Sequence, residues 1–253
     1  MVRAKKHLGQ HFLTSLATAQ AIVGLLSENE ETVLEIGPGE GVLTDFLVER
    51  VGMNLHMVEI DTESVAHLRE QYPASLDRIH ETDFLKMDLR PLGEKLSIIG
   101  NFPYNISSQI LFRVFEERDR VTEVVGMFQK EVAKRVASGP GNKTYGILSV
   151  LLQAYYTIDY HITVPPEAFR PPPKVESGVI RLVRNKREGL PMDDKRFKSI
   201  VKTAFGQRRK TLRNSLKGLI GDNELPEEFS SKRPEQLGVD EFIRLAQWIV
   251  SLD

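Results

Sequence analysis

Several residues in this chain combine types and spacings that suit chemistry. The run "VLEIGPGEGVLTDFL" sets Gly37, Gly39 and Gly41 between a strand-like and a helix-like segment. Glycines at such a turn let a ligand approach backbone that side chains would otherwise shield. Glu59 lies 22 residues after Gly37, at the end of the next strand-like run, where an ionised carboxylate can accept both hydrogen bonds of a ribose diol. Asp83, in "ETDFL", closes a third run and could equally be a helix cap or loop acid. "NFPYNISSQ" then places Asn101, Phe102, Pro103 and Tyr104 where a fourth run, "KLSIIG", stops. A Gly-rich turn alone also serves helix–sheet packing; turn, flanking elements and carboxylate together specify a nucleoside-bearing cofactor.

These residues need elements that bring them together. Runs 32–36, 54–60, 78–83, 95–100 and 122–128 read as buried strands, and helical patterns lie between them. Thr14 is the expected cap of a helix carrying Leu16, Ala19, Val23 and Leu26, and Asn105 that of one carrying Ile110, Leu111, Val114 and Phe115. Such alternation implies a Rossmann-like, doubly wound α/β sheet, which binds ligands at the carboxyl ends of its strands. The glycine turn, Glu59, Asp83 and "NFPY" would then share one edge. Runs 160–164 and 177–183 flank the Pro-rich "PPEAFRPPPKVE" and would add an antiparallel edge. Beyond residue 187 the pattern is wholly helical. The expected organisation is a catalytic domain over 1–186 and a small all-helical C-terminal domain over 187–253.

Composition narrows the function classes. With 253 residues, 41% hydrophobic and 27% charged, the chain can bury a full core. No apolar run approaches the roughly 18 residues of a membrane helix. "MVRAKKHLGQHFL" lacks a signal peptide's apolar stretch, so a cytoplasmic protein without a membrane partner is expected. Absent cysteine excludes disulfides and thiolate sites, and the scattered histidines give no expectation of a metal. The net charge of −1 hides an asymmetry: residues 1–27 carry +3 and residues 195–217 carry +9, neither with an acid. Such a segment is either a footprint for a polyanion or a solvated helix face, and the missing acids favour the polyanion.

The turn has the form E-x-G-x-G-x-G from Glu35 to Gly41, not the G-x-G-x-x-G of dinucleotide sites. It resembles motif I of S-adenosylmethionine (SAM) dependent methyltransferases, in which the acid at Asp83 would bind the adenine amino group. "NFPY" similarly resembles motif IV of amino-group methyltransferases acting on adenine N6. An exocyclic amine is a poor nucleophile because its lone pair is delocalised into the ring. Acceptors on both N–H bonds would pull the nitrogen toward tetrahedral geometry and free that pair. The resemblance assigns these to the Asn101 side chain and the Phe102 carbonyl, with Pro103 fixing the turn and Tyr104 stacking on the base. No charged base is required, since positioning and acceptors lower the barrier. A base held this way must leave its stack, which calls for a second aromatic face. Phe169 in "AFRPPPKVES" would supply it, or would pack into the core.

Together "LGQHFL", "NFPYNISSQ", "FQKEVAKRVASGPGNKTYGILSV", "AFRPPPKVESGVIRL" and "AFGQRRKTLRNSL" resemble the small-subunit ribosomal RNA adenine N6,N6-dimethyltransferases. That family dimethylates two adjacent adenosines in a hairpin loop near the 3′ end of small-subunit RNA and takes part in subunit assembly. The resemblance implies a monomer that meets this RNA within a precursor of the small subunit. It implies cofactor contacts from His11, Leu13, Gly37, Gly39, Glu59, Asp83 and Asn101. Arg208, Arg209, Lys210 and Arg213 would hold RNA phosphates, with help from Arg3, Lys5 and Lys6 ordering on binding. His11 stands where the family commonly has Asn, and Phe102 where Leu is usual. Three other readings stay open: the erythromycin-resistance methyltransferases of large-subunit RNA, a non-catalytic assembly or transcription factor on the same fold, and a nicotinamide-dependent oxidoreductase. The segment "SGPGNKTYG" (138–146) reads as a mobile loop near the pocket or as a linker.

Overall fold

In the computed structural model, which describes residues 2–28 and 32–252, strand β1 (Phe12–Leu13) and helix α1 (Leu16–Val23) precede a regular alternation. This runs β2 (Val33–Ile36), α2 (Val42–Val51), β3 (Leu55–Glu59), α3 (Thr62–Gln71), β4 (Ile79–Glu81), β5 (Leu96–Asn101), α4 (Ser107–Glu116) and β6 (Val121–Gln129). Helices α5 (Lys130–Ala137) and α6 (Ile147–Gln153) follow, then β7 (Tyr156–Val164), β8 (Phe169–Arg170) and β9 (Ser177–Arg184). The remainder is helical: α7 (Asp194–Gly206), α8 (Leu212–Ser215), α9 (Lys217–Ile220), α10 (Glu227–Ser230) and α11 (Val239–Val250).

The main sheet has the order β4-β3-β2-β5-β6-β9-β7, parallel from β4 to β6, with β9 antiparallel to β6. Every residue of β2 is buried, as expected of a strand covered on both faces. Chain order reverses between β2 and β5, and a crevice opens at such a switch point outside the carboxyl ends. One core cluster joins Ala19, Ile22 and Leu47 of the helices to Leu55, Met57, Ile99 and Met127 of the sheet. Each large aliphatic side chain buried there stabilises the fold by about 1.5–3 kcal/mol.

Two expected helix caps move. Ser15, not Thr14, caps α1, accepting from Thr18 N at 3.3 Å. Thr14 is already engaged, donating from its backbone N and its hydroxyl to the Ala168 carbonyl and prolonging the β1–β8 pair. Asn105 does not cap α4, whose cap position is Ile106; Ser107 Oγ donates to the Pro103 carbonyl at 3.1 Å.

Contacts divide the chain into one compact unit of Met1–Ala133 with Ile158–Arg184, and another of Lys134–Thr157 with Asn185–Asp253. Residues 134–157 thus pack with the C-terminal helices, whereas the sequence reading kept them with the sheet. Within this second unit Tyr145 meets Phe205, and Phe205 stacks on Phe242 at 5.8 Å. Segment 138–146 is fastened there: Gly141 N donates to the Glu235 carbonyl at 2.7 Å, and the Asn142 side chain accepts from Thr144.

Candidate active site

A cavity of about 300 Å³ lies at the carboxyl edge of the first unit's sheet. Gly37 and Gly39 line it from the turn after β2, Glu59 and Ile60 from the end of β3, and Thr82–Leu85 from beyond β4. Asn101–Ile106 line it from the end of β5, and Leu8–Phe12 form a strap across the front. Gly39 has φ +59, and a Cβ there would stand 2.7 Å from the Phe12 ring, so turn and strap fit only without a side chain. This cradle suits a nucleoside, whose sugar must approach the backbone.

Glu59 is 5% exposed. Its carboxylate accepts from Gly39 N at 3.2 Å, Ile60 N at 2.8 Å and Asp61 N at 2.9 Å. Burial raises its pKa, and these backbone donors oppose the shift. Asp83 takes Leu85 N on Oδ1 at 2.9 Å, the loop-acid role that its sequence position allowed, while still lining the cavity. Sequence reasoning missed the group that holds this loop. Arg113 of α4 donates to the carbonyls of Phe84 and Met87, with its guanidinium 4.9 Å from the centre of the Phe84 ring. No local pattern marks an Arg on an amphipathic helix for such a contact.

Asn101 donates from Nδ2 to the His11 carbonyl at 2.8 Å. A carbonyl only accepts, so this contact fixes the amide's orientation and leaves Oδ1 as its acceptor. Phe102 is 1% exposed and packs edge-on to Phe128 at 4.9 Å. A Cβ at Gly100 or Gly126 would lie 2.7 Å or 2.5 Å from its ring, so these glycines make room for a residue larger than Leu. Tyr104 bonds Ser177 Oγ through its hydroxyl at 2.5 Å and stacks on His11 at 5.4 Å. Burial raises its phenol pKa, which keeps the ring neutral.

The strap is tied at several points. Lys5 pairs with Asp61, Gln10 Nε2 donates to the same carboxylate at 3.3 Å, and Val2 N donates to Glu40 at 3.0 Å. Arg170 also pairs with Glu40. Lys5 is therefore engaged within this unit, where the sequence reading expected it to await RNA. Two other expected residues lie outside the cavity lining. Leu13 and Phe169 face each other across β1–β8 and are 3% and 4% exposed, both within the core cluster. Strand alternation decides this: with Arg170 turned out toward Glu40, Phe169 turns in.

In the second unit, Arg209, Lys210 and Arg213 are exposed, whereas Leu212 among them and Leu216 beyond them are buried. Arg208 is half-buried, donating to the Asn142 carbonyl at 3.4 Å beside Glu235 at 3.9 Å. Among the described residues no group of three or more acidic, His or Cys side chains could hold a metal, and no helix is long and apolar enough to cross a membrane.

Glu35, 1% exposed, lies just before the glycine turn. Burial pushes its carboxyl up to about 8, opposed by the Thr44 hydroxyl that donates to it at 2.7 Å and reinforced by the charge of Glu59. The native state thus keeps a proton that the unfolded chain loses in the ordinary carboxylate range. Its contribution to stability is fully present below that range and is lost as pH rises to about 8. Glu35→Gln should flatten the decline in Tm of the cofactor-free protein across this window. A wild-type-minus-variant difference in Tm that is constant with pH would refute this account.

The family model for ribosomal RNA adenine dimethylase matches residues 1–249. A ribosomal RNA small subunit methyltransferase A from Porphyromonas gingivalis is 56% identical over 250 residues, 96% of each chain. One from Bacteroides thetaiotaomicron is 54% identical, covering 98% of this chain and 95% of its own. Among solved structures, a dimethyladenosine transferase from Plasmodium falciparum matches with a TM-score of 0.82 at 21% identity, covering 96% of this chain and 98% of its own. The 23S rRNA methyltransferase ErmE matches with a TM-score of 0.66 at 25% identity, covering 94% and 99%.

Proposed function

From the premise that the chain belongs to the ribosomal RNA adenine dimethylase family, we propose how its residues carry out the family's reaction. The protein is a SAM-dependent methyltransferase that dimethylates adenine N6 in small-subunit ribosomal RNA. Its fold is the Rossmann-like methyltransferase sheet with a helical C-terminal part. The finer target is the pair of adjacent adenosines in a hairpin loop near the 3′ end of that RNA, presented on a small-subunit precursor to a protein acting as a monomer.

The observation that carries the site assignment is the orientation of Asn101. Its Nδ2 is committed to the strap, so Oδ1 is the atom that can grip an amine N–H. The Phe102 carbonyl takes the other N–H, and Pro103 holds the two in fixed relation. Tyr104 presents a neutral ring for the base to stack on. Gly37 and Gly39 admit the cofactor to the backbone, Glu59 accepts from its ribose diol, and Asp83 reads its adenine amino group. His11 also lines this space, and Leu13 contributes by supporting the strap from the core. SAM supplies, when bound, a methyl group on a cationic sulfur. The acceptors at Asn101 and Phe102 strengthen as the amine turns positive and then release its proton to water. Arg208, Arg209, Lys210 and Arg213 supply phosphate contacts that place the RNA without reading its sequence.

The test is methyl transfer from labelled SAM to small subunits lacking the modification. The label should appear as N6,N6-dimethyladenosine in small-subunit RNA. Label confined to large-subunit RNA, or none, would overturn the proposal.

A further inference from the structure

Tyr104 stands in the turn between β5 and α4, outside any strand or helix, so the sheet does not by itself hold its ring. The ring is brought back to the sheet through its hydroxyl, which bonds Ser177 Oγ at 2.5 Å. Ser177 is the first residue of β9 and is fully buried, where a hydroxyl without a partner is costly. Tyr104 is that partner. Ser177 is itself held firmly: it pairs with Gln129 of β6, and Lys130 fastens the residue before it twice. The Lys130 backbone N donates to the Glu176 carbonyl at 2.9 Å, and its Nζ donates to the Glu176 carboxylate at 2.6 Å. Asn101 pairs with Met127 of the same strand, so the amine acceptor and the stacking ring are both referred to β6.

We propose that Ser177 is a positioning residue that holds the Tyr104 ring across the target adenine, and that the second methyl transfer to each adenine depends on it more than the first. The proposal rests on the reading of this cavity as an adenine N6-dimethylating site. The two transfers differ in what the acceptors can grip. An unmodified amine offers one N–H to Asn101 Oδ1 and one to the Phe102 carbonyl. A monomethyl amine offers a single N–H, so one acceptor loses its partner and the base is free to tilt about the hydrogen bond that remains. In the second step the nitrogen lone pair forms the new N–C bond. The C–S bond breaks with its electron pair passing to sulfur, which leaves S-adenosylhomocysteine, and the last N–H proton goes to water. Nitrogen, methyl and sulfur must be in line for this, and the stacked ring is what limits the tilt. It can do so only if it is held at both ends. Pro103 sets the backbone before Tyr104, and Ser177 sets the far end of its side chain.

The test uses the full-length protein and small subunits lacking the modification, with N6-monomethyl- and N6,N6-dimethyladenosine in the RNA followed over time. Ser177→Ala should slow the second transfer about fivefold more than the first, the effect of one hydrogen bond, so that monomethyladenosine accumulates. Tyr104→Phe, which keeps the ring and removes the same bond from its other side, should do likewise and serves where Ser177→Ala does not fold. The double variant should be no worse than the more affected single one, since both lose one interaction. Calorimetry should give a SAM affinity for Ser177→Ala within about threefold of wild type. Equal slowing of the two transfers in both variants, or effects of the two substitutions that multiply, would overturn the proposal, because a merely structural loss has that form. The underlying reading fails separately, if the wild-type protein leaves no methyl group on adenine N6.

Discussion

Asn101→Ala should lower kcat for methyl transfer to immature small subunits by about 10²–10³, the usual effect of deleting one preorganised group aimed at developing charge. The amine gains positive charge as the methyl arrives, so an acceptor on its N–H contributes more in the transition state than in the ground state and acts on kcat. Asn101 also holds the strap through its bond to the His11 carbonyl, so Ala should loosen that segment and raise the Kd for SAM modestly. Asn101→Asp separates the two roles. It keeps an acceptor for the amine but sets a carboxylate oxygen against the His11 carbonyl, where neither can donate. It should retain more kcat than Ala while weakening SAM binding more. Label incorporation by Asn101→Ala at the wild-type rate would remove Asn101 from the reaction.

The residues at the cavity that were legible in the sequence share one property: they end parallel strands. Topology alone brings the carboxyl ends of β2, β3, β4 and β5 to one edge, so Gly39, Glu59, Asp83 and Asn101 could be assembled from spacing and strand order. Residues whose position depends on contacts distant in sequence were not legible. Lys5 and Asp61 are 56 positions apart, and no local signal says that this lysine is already paired. Arg113 reads as an ordinary polar position on an amphipathic helix until the loop at Phe84 folds against it. Phe169 misleads for another reason. Its polyproline setting suggests a presented ring, but pairing with β1 fixes the alternation of β8 and turns the ring inward. Thr14 was a plausible cap by residue type, and it is the Ala168 carbonyl that draws it away and leaves Ser15 to cap α1. The place of 134–157 was not legible either: the expected boundary at 186 follows the change to a wholly helical pattern, and no local signal shows that these residues pack with helices from the far end of the chain.

Glu59 separates cofactor binding from chemistry, and Glu59→Gln should raise the Kd for SAM about a hundredfold while kcat at saturating SAM falls less than tenfold. Its carboxylate is fixed by three backbone N–H groups, from Gly39, Ile60 and Asp61, so its orientation toward the diol is set before any ligand arrives. A hydrogen bond to a charged group contributes about 1.5–3 kcal/mol, and an amide in its place presents an N–H₂ to donors on one side or the other. Burial holds the Glu59 pKa above the usual carboxylate range. The form that accepts from the ribose diol is therefore lost on acidification at a higher pH than for a free carboxylate. Wild-type affinity for SAM should weaken as pH falls toward that range, and the variant's affinity should lack this dependence, since Gln does not titrate. Calorimetry across pH gives both quantities in one series. Equal pH profiles for wild type and Glu59→Gln would mean that the diol is held by other groups, and the carboxylate would then be a support for the turn at Gly39 alone.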